Sequence, residues 1–251
     1  MSNLAIIGGT GLTTLENLEI VKRQIVQTPY GEPSAPLSIA EFEGQEIFFL
    51  PRHGHGHTIP PHKINYRANI WALKEAGAKN ILSVAAVGAI RSDLAPASLM
   101  IPDQIVDYTW SRINTFFEDG LTHVTHIDFS QPYCEELRTV LIKACTELKL
   151  DVFNKGTYAA TQGPRLETAA EIDKLERDGC DIVGMTGMPE ASLARELDLC
   201  YASVAVVANA AAGRGTEPLT MEKIQETLGE GMDKVKTIIT HIITKKMLTA
   251  N

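Results

Sequence analysis

The sequence predicts an α/β fold: a single domain with a central mixed, largely parallel β-sheet flanked by helices. Three observations carry that prediction. Short apolar runs at Leu4 to Gly9, Glu46 to Leu50, Ile81 to Ile90 and Tyr201 to Ala211 alternate with longer stretches of helical periodicity. The two longest runs are rich in valine and alanine without polar alternation, as in strands buried on both faces. Finally, the 251 residues contain no repeat, low-complexity tract or Pro/Gly/Ser-rich linker. A chain of this length can bury a substantial core, and nothing in it marks a seam between domains.

Taken in order, Leu4 to Gly9 is a short buried strand ending in glycines, and Glu46 to Leu50 is a strand stopped by Pro51. From Ile64 to Gly77 the apolar residues Ile64, Ala68, Trp71 and Ala72 recur at helical spacing, and Gly77 suits the C-terminal cap. Further helices are expected over Tyr133 to Leu148, Thr168 to Asp178, Glu190 to Glu196 and Met221 to Lys246.

Composition narrows the function. Hydrophobic content of 44% with 22% charged residues is that of an ordinary globular protein. A net charge of −8 argues against nucleic acid or an anionic membrane as partner. An anionic ligand must therefore meet a local cluster of positive charge. Cys134, Cys145, Cys180 and Cys200 form no C-x-x-C pair. They read as reduced cytosolic thiols, because extracellular disulfide scaffolds are small and cysteine-dense. The N-terminal residues lack the basic and apolar regions of a signal peptide, and no segment approaches the ~18 apolar residues of a membrane span. The expected compartment is the cytoplasm.

In open α/β sheets, ligands gather where strands end. Gly8-Gly9-Thr10-Gly11, Arg52-His53, Glu167 after Gly163-Pro164-Arg165, Met185-Thr186 and Asn209 all follow or end predicted strands or turns. Together they suit a small molecule carrying a phosphate, a sugar and a flat heterocycle. Glycines let successive backbone N–H groups turn toward an anion, and Thr10 adds a hydroxyl. The run is neither G-x-G-x-x-G nor a Walker loop with its lysine, and taken alone it reads equally as a tight turn. At Arg52 and His53, an arginine fork beside an imidazole donor is good chemistry for a phosphate dianion. His55, His57 and His62 raise a metal site as an alternative, but no thiolate or H-E-x-x-H partner supports zinc. Unspecific surface histidines are the other alternative.

A family resemblance adds to this. The runs Ile6-Ile7-Gly8-Gly9-Thr10-Gly11-Leu12, Arg52-His53-Gly54 through His57-Thr58-Ile59, and Asn65-Tyr66 through Ala68-Asn69-Ile70-Trp71-Ala72-Leu73-Lys74 resemble the trimeric purine nucleoside phosphorylases. The likeness continues through Gly156-Thr157, Gly163-Pro164-Arg165 and Met185-Thr186 to Pro189-Glu190, and is strongest to the methylthioadenosine phosphorylase branch. The resemblance implies that Thr10, Arg52, His53, the backbone at Ala85 and Ala86, and Thr186 hold phosphate. It implies that Met185 packs on the ribose, and that Leu166, Glu167, Asn209, Ala210 and Ala211 line the base. His126, and His57 with it, would reach a neighbouring subunit's site. A homotrimer, or a dimer of trimers, is implied, with inorganic phosphate as co-substrate and neither metal nor organic cofactor.

Departures from that branch point to the substrate. The branch carries aspartate at the position of Asn209, another acid at Ala211, and a small hydroxyl residue at Glu167. A carboxylate suits a 6-amino purine, whereas an amide can donate to O6 and accept from N7 as it gains hydrogen. Glu167 can accept from the N1–H that only 6-oxopurines present. Asn209 is thus the expected catalytic residue at the leaving group, and Glu167 a specificity residue. Met221 stands where 6-oxopurine nucleoside phosphorylases place a histidine, and a thioether suits a 5′-methylthio group better than a hydroxyl. The sequence ends at Asn251, short of the branch's longer C-terminal tail, so another segment is expected to cover the 5′ group. The expected reaction is phosphorolysis of 5′-methylthioinosine, with inosine and guanosine, then 5′-methylthioadenosine, as alternatives. A hydrolase would leave Arg52, His53 and Thr186 without a task.

Overall fold

The computed structural model describes residues 3–9, 19–42, 44–215 and 221–248, apart from the side chains of residue 19 and of residues 221–224. Among the described residues, eleven strands form one sheet. They are β1 (Leu4–Gly8), β2 (Glu19–Gln24), β3 (Leu37–Phe42), β4 (Gln45–Pro51), β5 (Asn80–Ala89), β6 (Leu99–Met100), β7 (Gln104–Asp107), β8 (Val152–Phe153), β9 (Thr157–Ala160), β10 (Ile182–Gly184) and β11 (Cys200–Ala210). The order is β2-β3-β4-β1-β5-β10-β9-β7, with β11 beside β5 and β6, and β8 beside β6. Among the described residues, six of the ten strand pairings are parallel. The mixed, largely parallel sheet expected from the sequence is the one observed.

The apolar runs are buried on both faces, for the reason their composition suggested. In β1, Ala5 and Ile7 join one core while Leu4 and Ile6 join the other; in β11, Tyr201, Ala205 and Val207 alternate with Ala202, Val204 and Val206 in the same way. Helices α1 (Tyr66–Glu75) and α4 (Gly187–Glu196) cover the first face; α2 (Glu135–Glu147) and α5 (Met221–Thr244) cover the second. Helix α3 (Ala169–Arg177) caps a smaller cluster through Ile172 and Leu175. The local signals explain the helix ends. Asn65 accepts from the Ala68 N–H at the start of α1, and Gly77, at φ +93°, follows its C-terminus as predicted. Thr168 and Glu171 form a reciprocal capping box on α3. Met188 and Pro189 leave helical torsions inside α4, so its regular part begins at the predicted Glu190.

The cysteine reading needs correction. Cys134 and Cys200, 66 residues apart, are joined in a disulfide, while Cys145 and Cys180 are free and buried. Cys134 caps α2 and Cys200 opens β11; the Cys134 N–H donates to the Tyr201 carbonyl at 2.7 Å, which brings the two thiols together. Sequence spacing carries no trace of that docking. No helix among the described residues is long and apolar enough to cross a membrane.

Candidate active site

The site follows from how three strands share β5. Strand β11 runs along one edge of β5 from Asn80 to Ala89. Strands β1 and β10 must therefore divide the other edge. Parallel β1 covers Asn80 to Ser83, and antiparallel β10 covers Gly88 and Ala89. Between them, residues 84–87 have no ladder partner on that edge. Backbone groups in the middle of a sheet need partners, and a ligand can supply them here. Ala85 is buried, but Ala86 is the one exposed position in β5. Ala85 and Ala86 are the pair the sequence reading assigned to phosphate.

The neighbouring strand ends point into the same gap. Gly8 pairs with Pro51, and the Arg52 N–H donates to the Gly8 carbonyl at 3.0 Å, so the β1 and β4 tails leave together. Strand β10 arrives from the opposite direction, which delivers Met185 and Thr186 to the level of Ala86 and Ala85. Met185 is half-buried, and Thr186 is buried at the start of α4 with its N–H directed to the Tyr158 hydroxyl at 3.4 Å. Thr10 and the side chain of Met221 lie outside the described residues.

Arg52 is engaged differently from the sequence expectation. Its side chain is 2% exposed, and its fork closes on Glu190, itself 0% exposed, through Nε to Oε2 at 2.7 Å and Nη2 to Oε1 at 2.8 Å. Nη2 also donates to Ser83 Oγ at 2.8 Å, and Nη1 to the Val84 carbonyl at 3.2 Å. Burial alone would lower the Arg52 pKa, but the Glu190 carboxylate holds it above its ordinary range. Glu190 also accepts from the Tyr201 hydroxyl at 2.9 Å. A guanidinium has five N–H bonds. Among the described residues, one Nη1 hydrogen is left over, beside the unpaired edge of β5. Arg52 can thus offer one directed donor, from a charge already balanced by Glu190.

His53 also differs. Its Nδ1 lies 2.8 Å from the Ile59 carbonyl, which can only accept, so Nδ1 carries the proton. Burial, with Arg52 and His57 adding to it against the Ile59 bond, lowers its pKa to about 4. At neutral pH the ring is uncharged, and Nε2 presents a lone pair rather than the donor expected from sequence. The turn that makes this bond needs Gly54, at φ +73°, where a Cβ would stand 3.2 Å from the Ser34 carbonyl oxygen and Ile59 Cδ1. His57 stacks on His53 of its own chain, centroids 4.2 Å apart. Among the described residues, no group of three or more His, Cys, Asp or Glu side chains is arranged to hold a metal ion.

Farther along the sheet, β9 and β10 leave side by side. The Thr161 N–H donates to the Gly184 carbonyl at 2.8 Å, and its hydroxyl donates to Glu167 Oε1 at 2.6 Å. That fixes Glu167 while leaving Oε2 to accept from a ligand. Gly163, at φ +60°, packs against Met185, where any Cβ would stand 2.4 Å from Sδ. A cavity of about 300 Å³ is lined here by Tyr108, Trp110, Thr161, Gln162, Gly163 and Glu167. Leu166 is exposed.

Asn209 lies at a β-bulge. Register with β5 shifts between Val207 and Asn209, so that Asn209 pairs with Gly88. Bulges re-aim side chains beside functional sites. The Asn209 amide donates one hydrogen to the Ala210 carbonyl at 2.7 Å, keeping the second hydrogen and its oxygen for other partners. Ala210 is half-buried and Ala211 buried. Ala211 Cβ would lie 3.5 Å from a Cβ placed at Gly88. His126 is exposed on the irregular stretch 108–134, without a hydrogen bond to these residues among those described.

Sequence reasoning assigned no role to Glu190 and Ser83, which hold Arg52, or to Tyr201, which holds Glu190. Pro189-Glu190 stood out as a motif, but nothing local pairs it with a residue 138 positions away.

The family profile described as Phosphorylase superfamily matches residues 3–244. The chain belongs to the phosphorylase superfamily. Within this superfamily it is 54% identical to a protein of Pseudomonas syringae pv. tomato named probable S-methyl-5'-thioinosine phosphorylase, over 97% of this chain and 99% of the relative. It is 47% identical to a probable 6-oxopurine nucleoside phosphorylase of Thermococcus kodakarensis, over 95% of this chain and 91% of the relative. The superfamily fold is matched by the methylthioadenosine phosphorylase of Schistosoma mansoni in complex with adenine, with a TM-score of 0.91 and 34% identity over 97% of this chain and 91% of that one.

Proposed function

We propose that the protein cleaves the N-glycosidic bond of 5′-methylthioinosine with phosphate, yielding hypoxanthine and 5-methylthioribose 1-phosphate. Two residues carry this reading: Asn209, at a bulge, and Glu167, held by Thr161. Both residues complement a 6-oxo ring. The 54% identical relative bears a name of the same activity.

Phosphate takes the unpaired edge of β5, with the Ala85 and Ala86 backbone, Thr10, Thr186 and the free Arg52 donor around it. A hydrogen phosphate dianion carries one P–OH, which matches the lone pair on His53 Nε2. Met185 packs on the ribose, and Leu166, Ala210 and Ala211 complete the base wall around Glu167. As the glycosidic bond loosens, negative charge develops on the purine and positive charge on the sugar. Asn209 stabilises the first at N7 and O6, and the phosphate held beneath C1′ attacks the second. No covalent enzyme intermediate, metal or organic cofactor enters this scheme. Inosine and guanosine are the second reading, because they offer the same ring; the name of the 47% identical relative favours it. Met221 is the residue proposed to choose between the two at the 5′ end.

The test is a substrate panel. Purified protein should turn over 5′-methylthioinosine faster than inosine, guanosine or 5′-methylthioadenosine, and should be nearly inert without phosphate. Phosphate-independent cleavage would mean a hydrolase, and a preference for inosine would move the assignment to the second reading.

We further propose that the enzyme works in the cytoplasm as a homotrimer or a dimer of trimers. Trp110, Ile113 and Val124 are 68%, 54% and 69% exposed on the stretch that bears His126, an apolar surface suited to another copy of the chain. The Cys134–Cys200 disulfide stands against the compartment, since such bonds are rare in a reducing cytosol. His126→Ala should raise the nucleoside KM without loss of folding. Subunit exchange between His126→Ala and Asn209→Ala proteins should restore part of the activity; no recovery after demonstrated exchange would exclude a shared site.

A further inference from the structure

Arg112 lies in the irregular stretch 108–134, where sequence periodicity offered nothing to read. It is half-buried, and its guanidinium is used in full. Nε donates to Gln162 Oε1 at 3.2 Å; Nη1 donates to the Tyr66 hydroxyl at 3.1 Å and to the carbonyls of Met185 and Met188 at 2.8 and 2.6 Å; Nη2 donates to the carbonyls of Thr161 and Gln162 at 3.1 and 2.8 Å. None of these acceptors is a carboxylate. The cation also lies 5.5 Å from the centroid of the Tyr66 ring, which adds a cation–π contact.

Three of the four carbonyls lie on the tails that the sheet leaves behind, and the fourth, of Met188, lies at the kinked start of α4. The rung from Thr161 N–H to the Gly184 carbonyl is the last between the tails of β9 and β10. Beyond it the chains separate toward Glu167 on one side and Met185 and Thr186 on the other. Arg112 continues the ladder with a planar group spanning both tails. Behind it, Thr161 holds Glu167 at 2.6 Å, and Gly163 packs against Met185.

We propose that Arg112 is a positioning residue that sets the separation of the β9 and β10 tails, and through them the placement of Glu167 and Met185 on the nucleoside. The proposal rests on the nucleoside-binding roles given above to Glu167 and Met185. The chemistry demands arginine. A lysine ammonium is a point charge with three donors and no plane, and cannot reach both tails at fixed spacing. Misplacing contacts by about 1 Å can cost on the order of 100-fold in rate.

The test uses the full-length protein with Arg112→Lys and Arg112→Gln. Arg112→Lys should stay folded by thermal midpoint and sedimentation, yet lose about 30–100-fold in kcat/KM for the nucleoside, chiefly through KM. The preference for 6-oxo over 6-amino nucleosides should narrow as Glu167 loosens. The phosphate KM should rise less than the nucleoside KM, through Thr186 alone, because Arg52, His53 and the β5 edge are held by other contacts. A folded variant with unchanged nucleoside KM and selectivity overturns the proposal. So does a phosphate KM that rises in step with the nucleoside KM, or unfolding of both variants, since either makes Arg112 a general scaffold. Wild-type protein inert on every 6-oxopurine nucleoside would instead sink the proposed function. The Arg112 comparison would then be made on whichever nucleoside it does cleave.

Discussion

Asn209→Asp should reduce cleavage of 5′-methylthioinosine by about 10²–10³, the usual cost of losing one donor to developing negative charge. A carboxylate at this position would set its lone pairs against O6. It would also face the Ala210 carbonyl, which now accepts the Asn209 amide hydrogen at 2.7 Å. Wild-type protein should prefer the 6-oxo nucleoside to 5′-methylthioadenosine by roughly 10⁴, because sites built on buried polar groups discriminate strongly against an analogue that leaves them unpaired. The single substitution should help the adenosine substrate only modestly, since Glu167 would still confront an N1 without hydrogen. Adding Glu167→Ser removes that conflict and the tie to Thr161. The two changes should therefore be non-additive, as for groups reading one ring. Steady-state kinetics on both nucleosides decides the matter: a double mutant that keeps the wild-type preference removes both residues from base recognition.

Arg52→Ala should destabilise the protein by about 3–5 kcal/mol, because it strands a buried carboxylate. Glu190 is 0% exposed, and Arg52 is its cation in the structure. At this chain length the loss corresponds to roughly 6–20 °C in thermal midpoint. The alanine variant alone therefore confuses folding with phosphate binding. Arg52→Met combined with Glu190→Gln removes both charges while leaving a side-chain amide to meet the Tyr201 hydroxyl, and should recover most of the stability. It should not recover phosphate binding, and its phosphate KM should stay at least about tenfold above wild type, the worth of one charge-assisted hydrogen bond. A folded double variant with the wild-type phosphate KM would falsify a role for Arg52 in the site.

The sheet was legible where strands were long and buried. Ile81 to Ile90 and Tyr201 to Ala211 have no polar face, so a strand between two helical layers was the only economical reading, and both are found within a residue of the expected bounds. Helix α3 was legible because Thr168 and Glu171 satisfy its first N–H groups locally. Strands β6 and β8, of two residues each, were not, because such a segment has no period. The residues proposed for the site stood out for a related reason: Gly8, Arg52, His53 and Asn209 end or directly follow strands, and Glu167 lies in the loop after β9, where a polar or glycine residue is conspicuous beside an apolar run.

The layered α/β architecture, the net charge of −8 that argues against a nucleic-acid partner, and the placing of Gly8, Arg52 and Asn209 at strand ends could all be read along the chain. These are properties of periodicity, charge and local capping, each written within a few neighbouring residues. How those side chains are used depends on where folding places them. That Arg52 closes on Glu190, that His53 turns its N–H to Ile59, that Arg112 ties two strand tails together and that Cys134 meets Cys200 are facts of long-range contact. In each, a hydrogen-bonding or charged group, or a thiol, met a partner that folding brought beside it, and desolvation made that pairing obligatory for the buried ion pair. No pattern along the chain encodes which partner that is.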